Sequence, residues 1–214
     1  MKYLALFVGM TLAAPAVLAA PATVMPMSCK KTPIVATTKY PGEDNILPFN
    51  NLAKPRGKSE AAEGQLVFFS GRVVDVQCVP VSGAIVELWQ ANPFGKEVYP
   101  KQPAMFGPGP VFAGAGRTYT NNQGKFTFVT LFPGGVGKNG APRFNIRITH
   151  PNLKPASTAL FFEEDRRNED DPAFKRIKPL EQAEALIKID GEQNAMLMVS
   201  KDLVLESNDA RKGF

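Results

Sequence analysis

From Gln65 onward the chain consists of short runs rich in Val, Phe, Ile and Thr, separated by Gly, Pro, Asn and Ser. This is the texture of strands in an all-β domain. The runs predict strands over Gln65–Val76, Ala84–Ala91, Lys125–Leu131, Phe144–Thr149, Thr158–Phe162 and Ala195–Leu205. Alternation at Val73/Asp75 and Ile85/Glu87 suits strands with one face buried. Asn121-Asn122-Gln123-Gly124 predicts a hairpin turn, because Asn and Gly adopt positive φ at low cost. Between Asn92 and Gly116 lies a long Gly- and Pro-rich connection, and such loops in compact domains often carry function. Glu163 to Asp171 is a mixed charge run that reads as a solvated loop, since its spacing lacks the alternating oxygen ligands and turn glycine of a calcium loop. Leu180–Ile187 predicts a short helix, and Asn208–Phe214 a frayed end.

The N-terminal 63 residues have no such period. Lys2, the apolar stretch Leu4–Leu12 and the small-residue step Val17-Leu18-Ala19 read as a secretory signal peptide over residues 1–19, cleaved after Ala19 or Ala20. The apolar stretch is shorter than the ~20 residues of a spanning helix and Pro15 interrupts it, so no membrane span is expected after its removal. Residues 20–63, with Pro33, Pro41, Pro48 and Pro55, read as an extended arm in which the segment from Asp44 to Phe49 tucks apolar side chains onto the core. The β domain occupies 64–206 and a flexible tail 207–214. A secreted or periplasmic location follows as the expectation, and it changes the meaning of the two cysteines. Disulfides persist outside the reducing cytosol, so Cys29 and Cys78 are expected to form one bridge that pins the arm to a turn of the core.

Composition excludes more than it selects. Of 214 residues, 44% are hydrophobic and 21% charged, ordinary for a globular protein of one main core. The formal charge is +5 and the pI about 9.2. The cations are scattered in pairs such as Lys30-Lys31, Arg166-Arg167 and Lys175-Arg176, without the aromatic-interleaved basic stripe of nucleic-acid binders. No nucleic-acid partner is expected. No nucleophile elbow, His-Glu-x-x-His helix or phosphate loop is present.

Several blocks in fixed order carry a family likeness. They are Gly71-Arg72-Val73-Val74-Asp75, Glu87-Leu88-Trp89-Gln90-Ala91-Asn92, Gly116-Arg117 followed by Thr120-Asn121-Asn122-Gln123-Gly124-Lys125-Phe126-Thr127-Phe128, then Pro133-Gly134, Ser157-Thr158 and Asp171-Pro172. In these the chain resembles the intradiol ring-cleavage dioxygenases, such as catechol and protocatechuate dioxygenases. The resemblance implies a β-sandwich with long decorating loops, whose first block opens as a hairpin. It also implies a buried site between sandwich and loops. Glu87, Trp89 and Gln90 read as scaffold leading into that site, Trp89 as a core aromatic whose N–H needs a partner.

Members of the resembled family hold ferric iron through two tyrosinates and two histidines. The resemblance places those ligands at Glu97, Val136, Asn145 and Arg147, none of which is Tyr or His. Tyr99, two residues beyond Glu97, would supply a shifted tyrosinate only with a change in the loop. The family's arginine falls at Pro142, with Arg143 one step along, and its glutamine at Ala159. Tyr99, Arg143 and Ala159 are therefore the candidate pocket residues. Arg147 is a candidate to fill the vacated position by pairing with Glu97. The chain has one histidine, His150, which reads as a turn residue at a strand end. No catalytic or metal-binding residue and no cofactor is expected; the alternative is ferric iron in a rebuilt site, with Glu97, Tyr99 and His150 supplying ligand types. The leading expectation is a binding or interaction module for an unidentified small molecule or protein. The alternatives are an aromatic-ring dioxygenase or a non-catalytic subunit of one, with the oligomeric state left open.

Overall fold

The structure is a computed structural model that describes residues 28–54, 60–99 and 111–208; the expected signal peptide at 1–19 lies outside them. Among the described residues are nine strands: β1 (Leu66–Asp75), β2 (Ile85–Trp89), β3 (Ala115–Tyr119), β4 (Lys125–Leu131), β5 (Arg143–Thr149), β6 (Ala156–Phe162), β7 (Leu186–Gln193), β8 (Met196–Ser200) and β9 (Leu203–Leu205). β4 and the first half of β1 alternate buried and partly buried positions, whereas β2, β6 and β9 are buried almost throughout. Along the hydrogen-bonded path the order is β3-β2-β5-β6-β7-β8-β1-β4, with β9 added to β1. The path folds into two leaves, β3-β2-β5-β6 and β7-β8-β1-β4, in the β-sandwich of the resembled family. β7 joins them, pairing with β6 through Leu186 and Ile187 and with β8 thereafter, across an irregularity between Ile189 and Gly191.

The core lies between the leaves. Val86 and Leu88 of β2, Phe144, Ile146 and Ile148 of β5, and Leu160 and Phe162 of β6 meet Val67, Phe69 and Phe128 of the other leaf. Phe69 stacks on Phe144 at 5.3 Å, and Phe144 meets Phe162 edge-on at 5.2 Å. Each buried side chain of this size contributes roughly 1.5–3 kcal/mol.

Four predicted strands match β1, β2, β4 and β6 to within two residues at either end, and the predicted strand at Phe144 starts one residue earlier as β5. The run Ala195–Leu205 divides into β8 and β9, because β1 turns away from β8 and takes β9 as its parallel neighbour at Val73–Asp75. β3 falls at the end of what reads as loop: with Ala115, Gly116 and Arg117 it has no apolar alternation, and pairing with β2 makes it a strand. The predicted helix Leu180–Ile187 is a 3-10 turn at Pro179–Glu181 continued by one helical turn, α2, at Gln182–Ala185, and β7 takes over its last two residues from Leu186. A similar single turn, α1 (Pro172–Lys175), follows the charge run.

Two hairpin expectations are corrected. The turn at Asn121–Gly124 forms, with Gly124 at φ 71° and the Asn121 side chain accepting from the Gln123 and Lys125 amides. It joins β3 and β4, which are edge strands of different leaves, so it is a corner of the sandwich. Likewise β1 and β2 belong to different leaves: the end of β1 turns back on the connecting segment, with Val74 bridging Pro80 and backbone hydrogen bonds Asp75–Val79 and Val81–Val73, before the chain crosses to β2. The C-terminal expectation also changes at its start: Ser207 bridges Leu153, and Asn208 hydrogen-bonds Asn152 and Pro151.

The arm closes the open side of the sandwich. Leu47 exchanges backbone hydrogen bonds with Ala115 and Arg117 of β3, while Asn50 and Leu52 bond Val129 of β4. Both exposed strand edges are thereby paired, which removes sites for edge-to-edge association. The Cys29–Cys78 disulfide forms, with Cα atoms 5.3 Å apart. It closes a loop with a sequence separation of 49. Reduction, or replacement of both cysteines by serine, is expected to lower unfolding stability by roughly 3–4 kcal/mol. Denaturant titration with and without reductant measures it.

Candidate functional site

The residues in family ligand positions come from three places that the fold brings to the outer face of the β3-β2-β5-β6 leaf. On β5 the core-facing Phe144, Ile146 and Ile148 alternate with Arg143, Asn145 and Arg147, so the latter three point outward. Register sets their neighbours: Asn145 lies opposite Trp89 and Ala159, and Arg147 opposite Glu87. Glu97 and Val136 sit on two loops held against each other by glycines. The Gly134 amide donates to the Asn92 carbonyl, and a side chain on Gly95 or Gly134 would collide with the facing backbone.

The arm covers this face. Asn145, 1% exposed, accepts from the Thr38 amide at 3.0 Å and donates to the Trp89 carbonyl at 3.1 Å. The Trp89 indole N–H donates to the Thr38 hydroxyl at 3.2 Å, which is the partner that residue required. Trp89 is not in the inter-leaf core; it packs with Ile46, Tyr99 and Ala115 in an outer cluster, edge-on to Tyr40 at 5.4 Å. Val35 joins Ala141, Ala159 and Phe161 in a second outer cluster. Ala159 is thus packed under the arm.

Arg147 does not pair with Glu97. It reaches Glu43 of the arm at 3.0 Å and Glu87 at 3.5 Å, and its guanidinium lies 4.9 Å from the centre of the Tyr40 ring. Arg117 contacts the same two carboxylates, at 2.9 and 3.4 Å. The Tyr40 hydroxyl donates to Glu43 at 2.9 Å and to Glu87 at 3.2 Å. Burial, followed by the Glu43 charge, raises the pKa of Glu87, against the pull of Tyr40, Arg117 and Arg147. Glu43, more exposed, is lowered, foremost by the Tyr40 hydrogen bond.

Glu97 accepts a hydrogen bond from Tyr99 at 3.4 Å, and Thr38 also bonds Tyr99. The structure therefore brings Tyr99 and Asn145 together at Thr38, with Glu97 bonded to Tyr99. Burial, then the Glu97 charge, pushes the Tyr99 phenol up and away from ionisation. Arg143 is held elsewhere on the face: it pairs with the buried Asp171 at 3.1 Å and lies over Phe161 at 5.4 Å. Asp171 also accepts from the Ala141 amide and caps α1 through the Ala173 and Phe174 amides, so this end of the charge run is structural. His150 lines a separate cleft of about 720 Å3 beside Asn152, Lys154 and Glu206. Its Nδ1 accepts from the Asn152 amide at 3.2 Å. Among the described residues no group of three or more His, Cys, Asp or Glu side chains is placed to hold a metal.

A family model described as dioxygenase matches residues 50–162. The chain belongs to this dioxygenase family. A protein of Rickettsia bellii named "Putative dioxygenase" is 37% identical over 123 residues, covering 53% of this chain and 57% of the relative. The beta chain of protocatechuate 3,4-dioxygenase from Burkholderia cepacia is 34% identical over 94 residues, 44% of this chain and 40% of that one. The chain thus spans about half the length of the curated relatives it matches. An intradiol ring-cleavage dioxygenase from Tetranychus urticae superposes with a TM-score of 0.67 at 24% identity, covering 83% of this chain and 95% of the other. That likeness is one of fold.

The iron of intradiol dioxygenases asks for anionic oxygens and imidazoles, and the donor set at these positions does not fit it. Valine offers no donor atom, the Asn145 amide is hydrogen-bonded at both ends, and Arg147 is a cation. Sequence reasoning missed the residues that engage them, Thr38, Tyr40 and Glu43, because the arm has no period from which a contact could be read. Arg147→Ala would leave the buried Glu87 with less compensation. The expected cost is about 1–2 kcal/mol, below that of a fully buried pair because Arg147 is partly exposed. Compensation matters only while Glu87 is charged, so the loss should be present above its raised pKa and shrink as pH falls through it. Unfolding of wild type and variant across acidic to neutral pH tests this.

Proposed function

We propose that the protein is an exported member of the dioxygenase family that works without catalytic iron, as a binding or interaction module. One observation carries the reading: Asn145 and Arg147, where the resemblance places imidazoles, spend their polar atoms on the chain's own arm, on the Trp89 carbonyl and on Glu87. With Val136, which has no donor atom, these positions do not supply the tyrosinate and imidazole set of the resembled family, and ring cleavage depends on the ion that set holds. Family membership alone does not carry the activity, which resides in the site. Export rests on the reading of residues 1–19 and is supported by the disulfide, a bond that persists in oxidising compartments.

The competing reading, a dioxygenase with a rebuilt iron site, is favoured by the proximity of Glu97 and Tyr99. The two are separated by elemental analysis of protein produced with abundant iron, followed by oxygen uptake on catechol and protocatechuate. The expected result is no stoichiometric iron and no turnover; near-equimolar iron with a tyrosinate charge-transfer band establishes the rebuilt site. Arg147→His alone should not recover iron, since one imidazole leaves too few ligands. N-terminal sequencing of the secreted or periplasmic fraction should find a start after Ala19 or Ala20, whereas a start at Met1 refutes export.

A further inference from the structure

The start of the arm, Lys30 to Ile34, runs beside the segment 176–184, and together they border an open cleft of about 570 Å3. Two of its apolar members stand in water, while Pro33 and Ile177 are buried at its base: Ile34 is 65% exposed, and Leu180, projected on the 3-10 turn Pro179–Glu181, is 95% exposed. Four cations, Lys30, Lys31, Arg176 and Lys178, line the same cleft, against Glu181 and Glu184. The acidic contacts are loose. Lys178 meets Glu181 at 3.4 Å with 79% of its side chain exposed, and Lys30 meets Glu184 at 3.9 Å with 81% exposed. Exposed pairs of this kind contribute little and exchange readily. Lys31 is tied more closely to Glu206, at 2.6 Å.

We propose that this patch docks the protein on an anionic bilayer surface, with Leu180 and Ile34 entering the interface and the cations meeting headgroup phosphates. Apolar side chains ringed by Lys and Arg are the combination that binds such surfaces. Side chains that protrude suit a soft interface that closes around them, whereas a folded protein would need a matching pocket for each. The chain's formal charge of +5 favours approach to an anionic surface. Among the described residues no helix is long and apolar enough to cross a membrane; the docking is peripheral. The proposal is independent of the iron question.

The test is cosedimentation of the purified exported chain, starting after Ala19 or Ala20, with vesicles of phosphatidylcholine alone or with a third of the lipid replaced by phosphatidylglycerol. Binding to the anionic vesicles is expected to be about tenfold stronger or more, since each surface cation contributes about fivefold, and raised salt should weaken it. Arg176→Glu, a change of two charges, should reduce binding roughly 25-fold, and Leu180→Asp, which loses an inserted apolar side chain and adds an anion, should reduce it by about tenfold or more. Both positions are exposed, and an unchanged unfolding midpoint verifies the fold; Ile34→Ser and Lys178→Glu serve if either variant misfolds. Equal binding to both vesicle types, or none, overturns the proposal. So does binding that Leu180→Asp leaves intact and soluble polyglutamate displaces, which would mark an acidic polypeptide as the occupant.

Discussion

The outer face of the β3-β2-β5-β6 leaf cannot be left open to water, and much of the structure follows from covering it. This leaf packs its inner face on the other leaf, yet its outer face also carries Trp89, Ala115, Ala159 and Phe161. A sheet that is apolar on both sides needs a further layer. The arm supplies it, with Val35, Tyr40 and Ile46 as the apolar cover and Thr38 as the polar link, and then continues to pair both strand edges. The disulfide at Cys29 and the backbone clamp of Thr32 on Val204 fix where that layer begins.

Covering the face buries polar groups, and the register of β2 decides how they are satisfied. Glu87 lies between Arg117 on one neighbour and Arg147 on the other, the arrangement in which cross-strand charges interact. Glu43 and Tyr40 complete the group from the arm. Two carboxylates and two guanidiniums meet in a partly buried cluster, so the desolvation of Glu87 is offset in part by Arg117 and Arg147. Arg147, unsuited to iron, suits this network.

The same geometry separates the residues at 97, 136, 145 and 147 from the core of the family's fold. Asn145 and Arg147 point away from the inter-leaf core, and Glu97 and Val136 are on loops. Substitution at those positions leaves Phe144, Ile146 and Ile148 packed as before. Stability resides between the leaves and the chemistry of the fold on its outer surface, so the two are separable. The basic and apolar cleft at 176–184 lies outside both and is free to serve another partner.

Period-2 runs of Val, Phe and Ile determine strands locally, and β1, β2, β4, β5 and β6 were legible from them, as was the family from its ordered blocks and the disulfide from two cysteines in a chain read as exported. The unusual residues at 97, 136, 145 and 147 were equally legible, because identity at a motif position needs no coordinates. Long-range contact decided the rest. β3 and β7 are strands through their neighbours and not through their own composition, and the turn at Asn121 joins leaves because β3 and β4 find partners in different ones. The arm's residues carry no periodic signal, so only the folded chain places Thr38 on Asn145 and Glu43 on Arg147. Contacts between residues about a hundred positions apart are set by the packing of the sheet beneath them, which no local pattern encodes.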